Sequence, residues 1–422
     1  MKLFNRRLLP VGAGLAALVL AAGCASGSAP AANNAGGSND NGDITFSFWG
    51  TNSEAASLKA IAAAFEKANP GTKVTTNWIQ ADYEQKIQTS IAAGTQSTVM
   101  EISNTSLAGF APSFAEQPVD PGKFIQPNIS EALKFDGKYY ATPFTAKPKV
   151  MAINVDAFKA AGLPLPSATT PLTLDEFKTV TAKLSHGEGK TRVFGTSNLW
   201  FKGWLTAAGG GFYNADATAC TFGDEQGLKT AQYIVDLQKD KYAPNSIDIE
   251  GQDQAQWFAA GRLGTFSDFG PWTVADFAKI SKPNWTLVPV PGKGFPMEVG
   301  GLAIAKNATG KKAETAKKFV EFASTNADAQ NQLIQGNTAL GVPIIAESVG
   351  TLEKILPADR NLAAFTTALK TGLVSPSVPR EAQISGDADK GITSYTPLGS
   401  GKDDVAKILP GLNDKCTAAL KQ

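Results

Sequence analysis

The chain has 422 residues, with 39 Lys and Arg against 38 Asp and Glu, one His and three Cys. This near-neutral balance offers no basic surface for nucleic-acid phosphates, and one His with three widely spaced Cys leaves almost no ligands for a His/Cys zinc cage. An apolar fraction of 43% excludes wholesale disorder, and the length calls for two or more domains.

The amino terminus reads as an address. Arg6 and Arg7 precede an uncharged stretch from Leu8 to Ala22. That stretch is shorter than the roughly 20 residues a spanning helix needs, so residues 1–23 are expected to be a signal peptide. The run Leu20-Ala21-Ala22-Gly23-Cys24 resembles the lipobox of bacterial lipoproteins, which implies that Cys24 is acylated and becomes the first residue. Residues 24–42 are Ser, Gly, Ala and Asn with little else, the composition of a flexible tether. The expected location is the outer face of the cell membrane, held by lipid on Cys24.

Ile44, Phe46 and Phe48 alternate with polar residues as a strand. Asn52 or Ser53 can cap a following helix whose apolar face carries Leu58, Ile61, Ala62 and Phe65, and Asn69-Pro70-Gly71 stops it. A strand over 74–78, a helix over 82–93 ended by Gly94, and a strand over 99–103 follow. This β-α-β-α-β order predicts a parallel sheet. Ligands of such sheets bind beyond the carboxyl ends of the strands, which here means loops 49–53, 80–83 and 103–106. Further helical periodicity runs through Leu174, Phe177, Val180 and Leu184, through Leu228, Ala231 and Val235, and through Ala316, Phe319, Val320 and Ala323. The class is α/β.

Several stretches agree in order and spacing with one family. They are Phe48-Trp49-Gly50, Phe65-Glu66-Lys67-Ala68-Asn69-Pro70-Gly71, Gly137-Lys138-Tyr139-Tyr140-Ala141-Thr142-Pro143, Ile153-Asn154-Val155-Asp156-Ala157-Phe158, Leu172-Thr173-Leu174-Asp175-Glu176-Phe177, Phe258-Ala259-Ala260-Gly261-Arg262, Gly270-Pro271-Trp272, Val288-Pro289-Val290-Pro291 and Gly300-Gly301-Leu302-Ala303-Ile304. In them the mature chain resembles the family 1 extracellular solute-binding proteins of ABC importers that take up sugars. It departs at Ser97-Thr98, where that family often has Pro-Asp. The resemblance implies a two-lobed, type II periplasmic-binding-protein-like fold with the ligand in a cleft between lobes joined by a multi-segment hinge. Residues 43–143 and 291–337 would form one lobe, and 144–290 with 338–422 the other. Crossings would fall near 143–147, 288–291 and 337–343. Expected partners are a small sugar and the membrane subunits of an ABC permease, with no nucleic acid, no cofactor and a monomeric state.

A neutral sugar offers hydroxyls and a weakly apolar face of C–H groups, so its site needs aromatic platforms and hydrogen-bonding side chains. Seven Trp suit that need. By the resemblance, Trp272 is the first candidate platform. Trp200, Phe201 and Lys202 form a second group, with neighbouring Trp204 suiting the core. Trp49 suits cleft or core equally, and Asn52 suits a cap or a ligand contact. Gln80, Asp82, Tyr83, Ser103 and Asn104 suit either hydrogen bonding to a ligand or local roles. Gly300 and Gly301 would admit a ligand close to the backbone or serve a turn, and Phe144, Lys147 and Asp268 complete the set. Trp285 suits the core and His186 a solvated loop. Because the family's tail returns to the lobe holding Cys220, a Cys220–Cys416 disulfide is implied; separate buried thiols are the alternative. Rival readings are a receptor for a non-sugar solute, a sensor, or a lipid-anchored hydrolase. The last lacks a Gly-x-Ser-x-Gly turn, and its sole His lies in a Gly-rich loop.

Overall fold

A computed structural model describes residues 42–249, 252–336, 338–356, 358–379, 381, 384 and 405–421. The signal-peptide, Cys24 and tether expectations, apart from Gly42, lie outside these residues.

Two sheets organise the chain. The first takes β1 (Ile44–Phe48), β2 (Val74–Trp78) and β3 (Val99–Ser103), with β1 parallel to both neighbours. After a short hairpin of β4 (Lys134–Phe135) and β5 (Lys138–Tyr139), the chain adds β6 (Thr142–Lys147) to this sheet. It then leaves through Pro148 and Lys149. A second sheet forms around β7 (Val150–Asn154), which pairs antiparallel with β8 (Thr265–Phe269) and β9 (Trp285–Val288). The chain returns to the first sheet as β10 (Glu298–Ile304), antiparallel between β3 and β6. A last hairpin, β11 (Ile334–Gln335) and β12 (Thr338–Ala339), precedes Val342, which bonds to Ala146. The helix Ala363–Thr371 then packs on β7 and β9.

The stretch expected to cross at 143–147 is therefore strand throughout; the passage comes immediately after it, where Pro148 cannot donate to a ladder. One apolar cluster runs through both sheets, from Ile102 and Val299 to Ala152, Phe269 and Leu287, and each sheet has a further cluster of its own. Phe46, Phe65 and Phe319 meet around the first, and Phe177, Trp204 and Phe222 are buried on the side of the second.

The first helix, Asn52–Ala68, begins one residue earlier than a cap at Asn52 or Ser53 would require. Thr51 is the cap: its hydroxyl accepts the Glu54 N–H at 3.3 Å while the Glu54 carboxylate accepts the Thr51 N–H at 2.8 Å. This reciprocal box satisfies two otherwise orphaned donors, an arrangement Asn52 cannot offer because no acid stands three residues after it. Likewise the second helix is Tyr83–Ala92, and Asp82 sits before it in the left-handed region with φ of 54°.

The tail helix Val405–Leu420 packs against the helix Glu225–Lys239. Cys416 on it is joined by a disulfide to Cys220, with the Cα atoms 5.9 Å apart.

Candidate functional site

The tripeptide Lys147-Pro148-Lys149, where the chain passes from one sheet to the other, organises the site. On the first side, the Lys147 ammonium lies 5.4 Å from the Trp49 ring centroid and 3.3 Å from the Glu298 carboxylate. On the second, the Lys149 ammonium lies 4.9 Å from the Trp200 ring and 5.9 Å from the Trp272 ring. Two lysines separated by one proline thus hold indoles from both halves of the molecule by cation–π attraction. Trp49, Trp200 and Trp272 are all only partly buried, which leaves ring surface available. Trp272 follows β8 in a short 3-10 turn, and its indole folds back over Gly270, where any Cβ would collide with it.

A cavity of about 350 Å³ opens beside Lys149. Trp200, Ser197, Asn198, Gln252, Gln254 and Asp268 contribute to its wall. Its charges are largely committed. Lys149 and Asp268 form an ion pair at 2.5 Å, and Asp253 accepts the Ala255 N–H at 2.8 Å as the cap of the helix Gln254–Ala259. The amide oxygens of Asn198, Gln252 and Gln254 accept the Leu199, Trp257 indole and Asn198 N–H groups, and Ser197 pairs with Ser267, so amide NH2 groups and aromatic surface are what face the cavity. Gln252, Gln254, Ser197 and Lys149 were not signalled by sequence; a lysine beside a proline and a polar loop carry no motif.

On the first side Glu101 is buried in β3 beneath Trp49, whose N–H it accepts at 3.4 Å. Burial pushes its carboxyl up to about 8; Lys147 pulls the other way, while Glu298 and Glu54 add to the rise. Burial also works against the charge on Lys147, yet Glu298, Glu101 and Glu54 together hold its ammonium above the ordinary lysine value.

Several expected contacts are placed elsewhere. Tyr83 is buried, with its ring 4.9 Å from that of Trp49 and its hydroxyl 2.8 Å from Glu101 O and 3.1 Å from Ser47 O, so it supports Trp49 from below. Phe144 is wholly enclosed in the first core. Phe201 packs in the second core, edge-on to Phe222. Lys202 turns inward to form an ion pair with Glu381, which also accepts from the Tyr213 hydroxyl. Ser103 bonds to Thr105, and Asn104 is fully buried and accepts the Val299 N–H at 2.9 Å. Gly300 and Gly301 lie in β10 at a bulge; a Cβ on the first would press on Thr145 and Phe144, and on the second on Leu133 and Ala141. Their missing side chains make room for these neighbours, within a strand rather than a turn. Asn52, Gln80 and Asp82 are exposed, and Trp285 and Trp204 are buried.

The chain belongs to the bacterial extracellular solute-binding proteins, whose family model matches residues 60–364. It is 24% identical over 346 residues to the diacetylchitobiose binding protein DasA of Streptomyces coelicolor, covering 78% of this chain and 79% of that one. A maltotriose-binding protein of Pyrococcus abyssi is 25% identical, over 72% of this chain and 67% of its own. The fold matches an ABC substrate-binding protein of Listeria monocytogenes in complex with cycloalternan, at a TM-score of 0.76 and 23% identity, over 90% of this chain and 99% of that one. The sugar-binding protein MalE of Xanthomonas citri matches with a TM-score of 0.77 and 18% identity, over 90% and 97% of the two chains. The architecture is thus the two-lobed, type II periplasmic-binding-protein fold. No helix among the described residues is long and apolar enough to cross a membrane.

Proposed function

We propose that this protein captures a neutral carbohydrate between its lobes and delivers it, unaltered, to an ABC permease. The observation that carries this reading is the set of three partly buried indoles, Trp49 on one side of the Lys147-Pro148-Lys149 crossing and Trp200 and Trp272 on the other. Beside them is a cavity whose Lys149 and Asp268 are paired with each other and whose Asp253 caps a helix. Aromatic surface with the amide NH2 groups of Gln252, Gln254 and Asn198, whose oxygens already accept protein N–H donors, suits a ligand of hydroxyls and C–H faces, and unpaired charge would suit an amino acid or polyamine better. Relatives named for diacetylchitobiose and maltotriose support the same class.

In this reading the first lobe runs from Asp43 to Lys147 and resumes from Glu298 to Val342; the second holds the segment between and the tail. The lobes close on the ligand because the closed form binds it better than the open one. The chain acts as a monomer, tethered through acylated Cys24 outside the membrane. Trp272, Trp200 and Trp49 are the platforms; Asp268, Gln252, Gln254 and Asn198 supply hydrogen bonds.

A thermal-shift panel of saccharides, polyols, amino acids and polyamines tests this, since a ligand of the native state raises apparent stability. At least one saccharide is expected to raise the melting temperature. Trp272→Ala and Trp200→Ala are each expected to weaken it by roughly tenfold, the loss of stacking plus buried ring area. A response confined to charged solutes, or full affinity in both variants, defeats the proposal.

A further inference from the structure

A second, larger cavity of about 620 Å³ adjoins the first in the lobe built on β7, β8 and β9, the two sharing Gln252. Four cations line it: Lys190, Arg192, Lys241 and Arg262. The one carboxylate in its lining, among the described residues, is Asp248, which is already engaged, 3.5 Å from Lys241 and accepting the Asn245 N–H at 3.0 Å. Among the described residues no carboxylate lies within ion-pair distance of Lys190, Arg192 or Arg262. The Arg262 guanidinium stacks on Trp257 at 4.1 Å from the ring centroid, and its buried Nε has no hydrogen-bond partner. Phe194 lies parallel to Trp257, 4° between planes, so two stacked rings back the guanidinium. Lys190 stands on the turn Gly189–Thr191, with Arg192 directly after it; the backbone pairing of His186 with Val193 closes this loop.

Such a concentration of one sign is unusual in a chain whose formal charge is +1. Like charges around a concavity repel one another and raise the local concentration of anions. Guanidinium groups present planar forks that match phosphate oxygens two at a time, and the half-buried position of Arg192 and Arg262 reduces screening by solvent. We propose that this basin is a second ligand site, distinct from the indole-lined cavity, that takes a phosphate group. The group can arrive on a free solute or on a lipid headgroup; both present the same oxygens. The proposal does not depend on what the cleft captures.

The test is calorimetric titration of the full mature chain with inorganic phosphate at constant ionic strength, chloride serving as reference. In parallel, the chain carrying Cys24→Ser, which removes the acyl anchor, is co-sedimented with phosphatidylglycerol vesicles and with phosphatidylcholine vesicles. Saturable binding to phosphate, to phosphatidylglycerol or to both is expected, weakened about tenfold in Arg192→Gln and Arg262→Gln, the loss expected for a charge-assisted hydrogen bond. Phosphate alone identifies a free solute; retention on phosphatidylglycerol vesicles identifies a headgroup. The melting-temperature response of the cleft to its own ligand should persist in these variants. If either arginine variant does not fold, Lys190→Gln, on an exposed turn, carries the comparison. Binding absent in both arms, equal with chloride, or unchanged in all three variants overturns the proposal.

Discussion

Glu101 shows what a single side chain can do in this fold. Its carboxyl is held near 8 in the folded protein, against an ordinary value of 4.5. Between those values the folded form keeps a proton that the unfolded chain has released, so stability falls as pH rises through the window and the loss is complete above about 8. The effect is on the order of a few kcal/mol. Glu101→Gln is therefore expected to flatten the decline of unfolding free energy between roughly pH 5 and pH 9 and to be the more stable protein at the alkaline end. Denaturant titrations of both proteins across that range check it; parallel curves would contradict it. Burial this complete was not readable from a lone acid in a strand. Other residues did carry a signal. Tyr83 and Ile87 are both buried at i and i+4 of one helix, and Phe201, Trp204 and Leu205 share the inward face of another, so their core positions follow from helical spacing. Lys202 carried none, since its partner Glu381 is remote in sequence.

At the level of elements, periodicity located most of the structure because local patterns determine it. The apolar face through Leu58, Ile61, Ala62 and Phe65, the stop after Ala68 and the strand Val99–Ser103 all stand where the residues predict. What local pattern does not determine is which sheet a strand joins. From sequence a crossing is expected near 143–147, and only the ladder of Thr142–Lys147 with β10 shows that this run is strand. The tail helix Val405–Leu420 depends on a contact of the same long range. Its disulfide spans 196 residues to Cys220 and limits the freedom of the unfolded chain. Replacing both cysteines with serine is expected to cost about 2–5 kcal/mol, read as a lower urea midpoint that reducing agent no longer shifts. An unchanged midpoint would show that the helix is held by packing alone.

For the whole molecule, the five-stranded and three-stranded sheets exchange the chain first at Pro148-Lys149, then between Val288 and Glu298, and again after Val342. Three strands of chain bridging two packed bodies suit hinge motion. Small-angle scattering should accordingly show a smaller radius of gyration once a stabilising saccharide is added, and identical profiles with and without it would argue for a rigid cleft. The two-lobed plan was legible through the ordered agreement of many short stretches with one family. The cavity wall was legible only in part: Trp200 and Asp268 were candidates, whereas Lys149, Gln252 and Gln254 become their neighbours only after folding.

The Lys147-Pro148-Lys149 segment ties two properties together. Proline fixes one backbone torsion between the lysines, and each ammonium rests against an indole belonging to a different half. If the proposed capture by these indoles holds, whatever turns that joint would also re-aim the rings, and selectivity and mobility would share one piece of machinery. A lineage altering either would find the other changed with it.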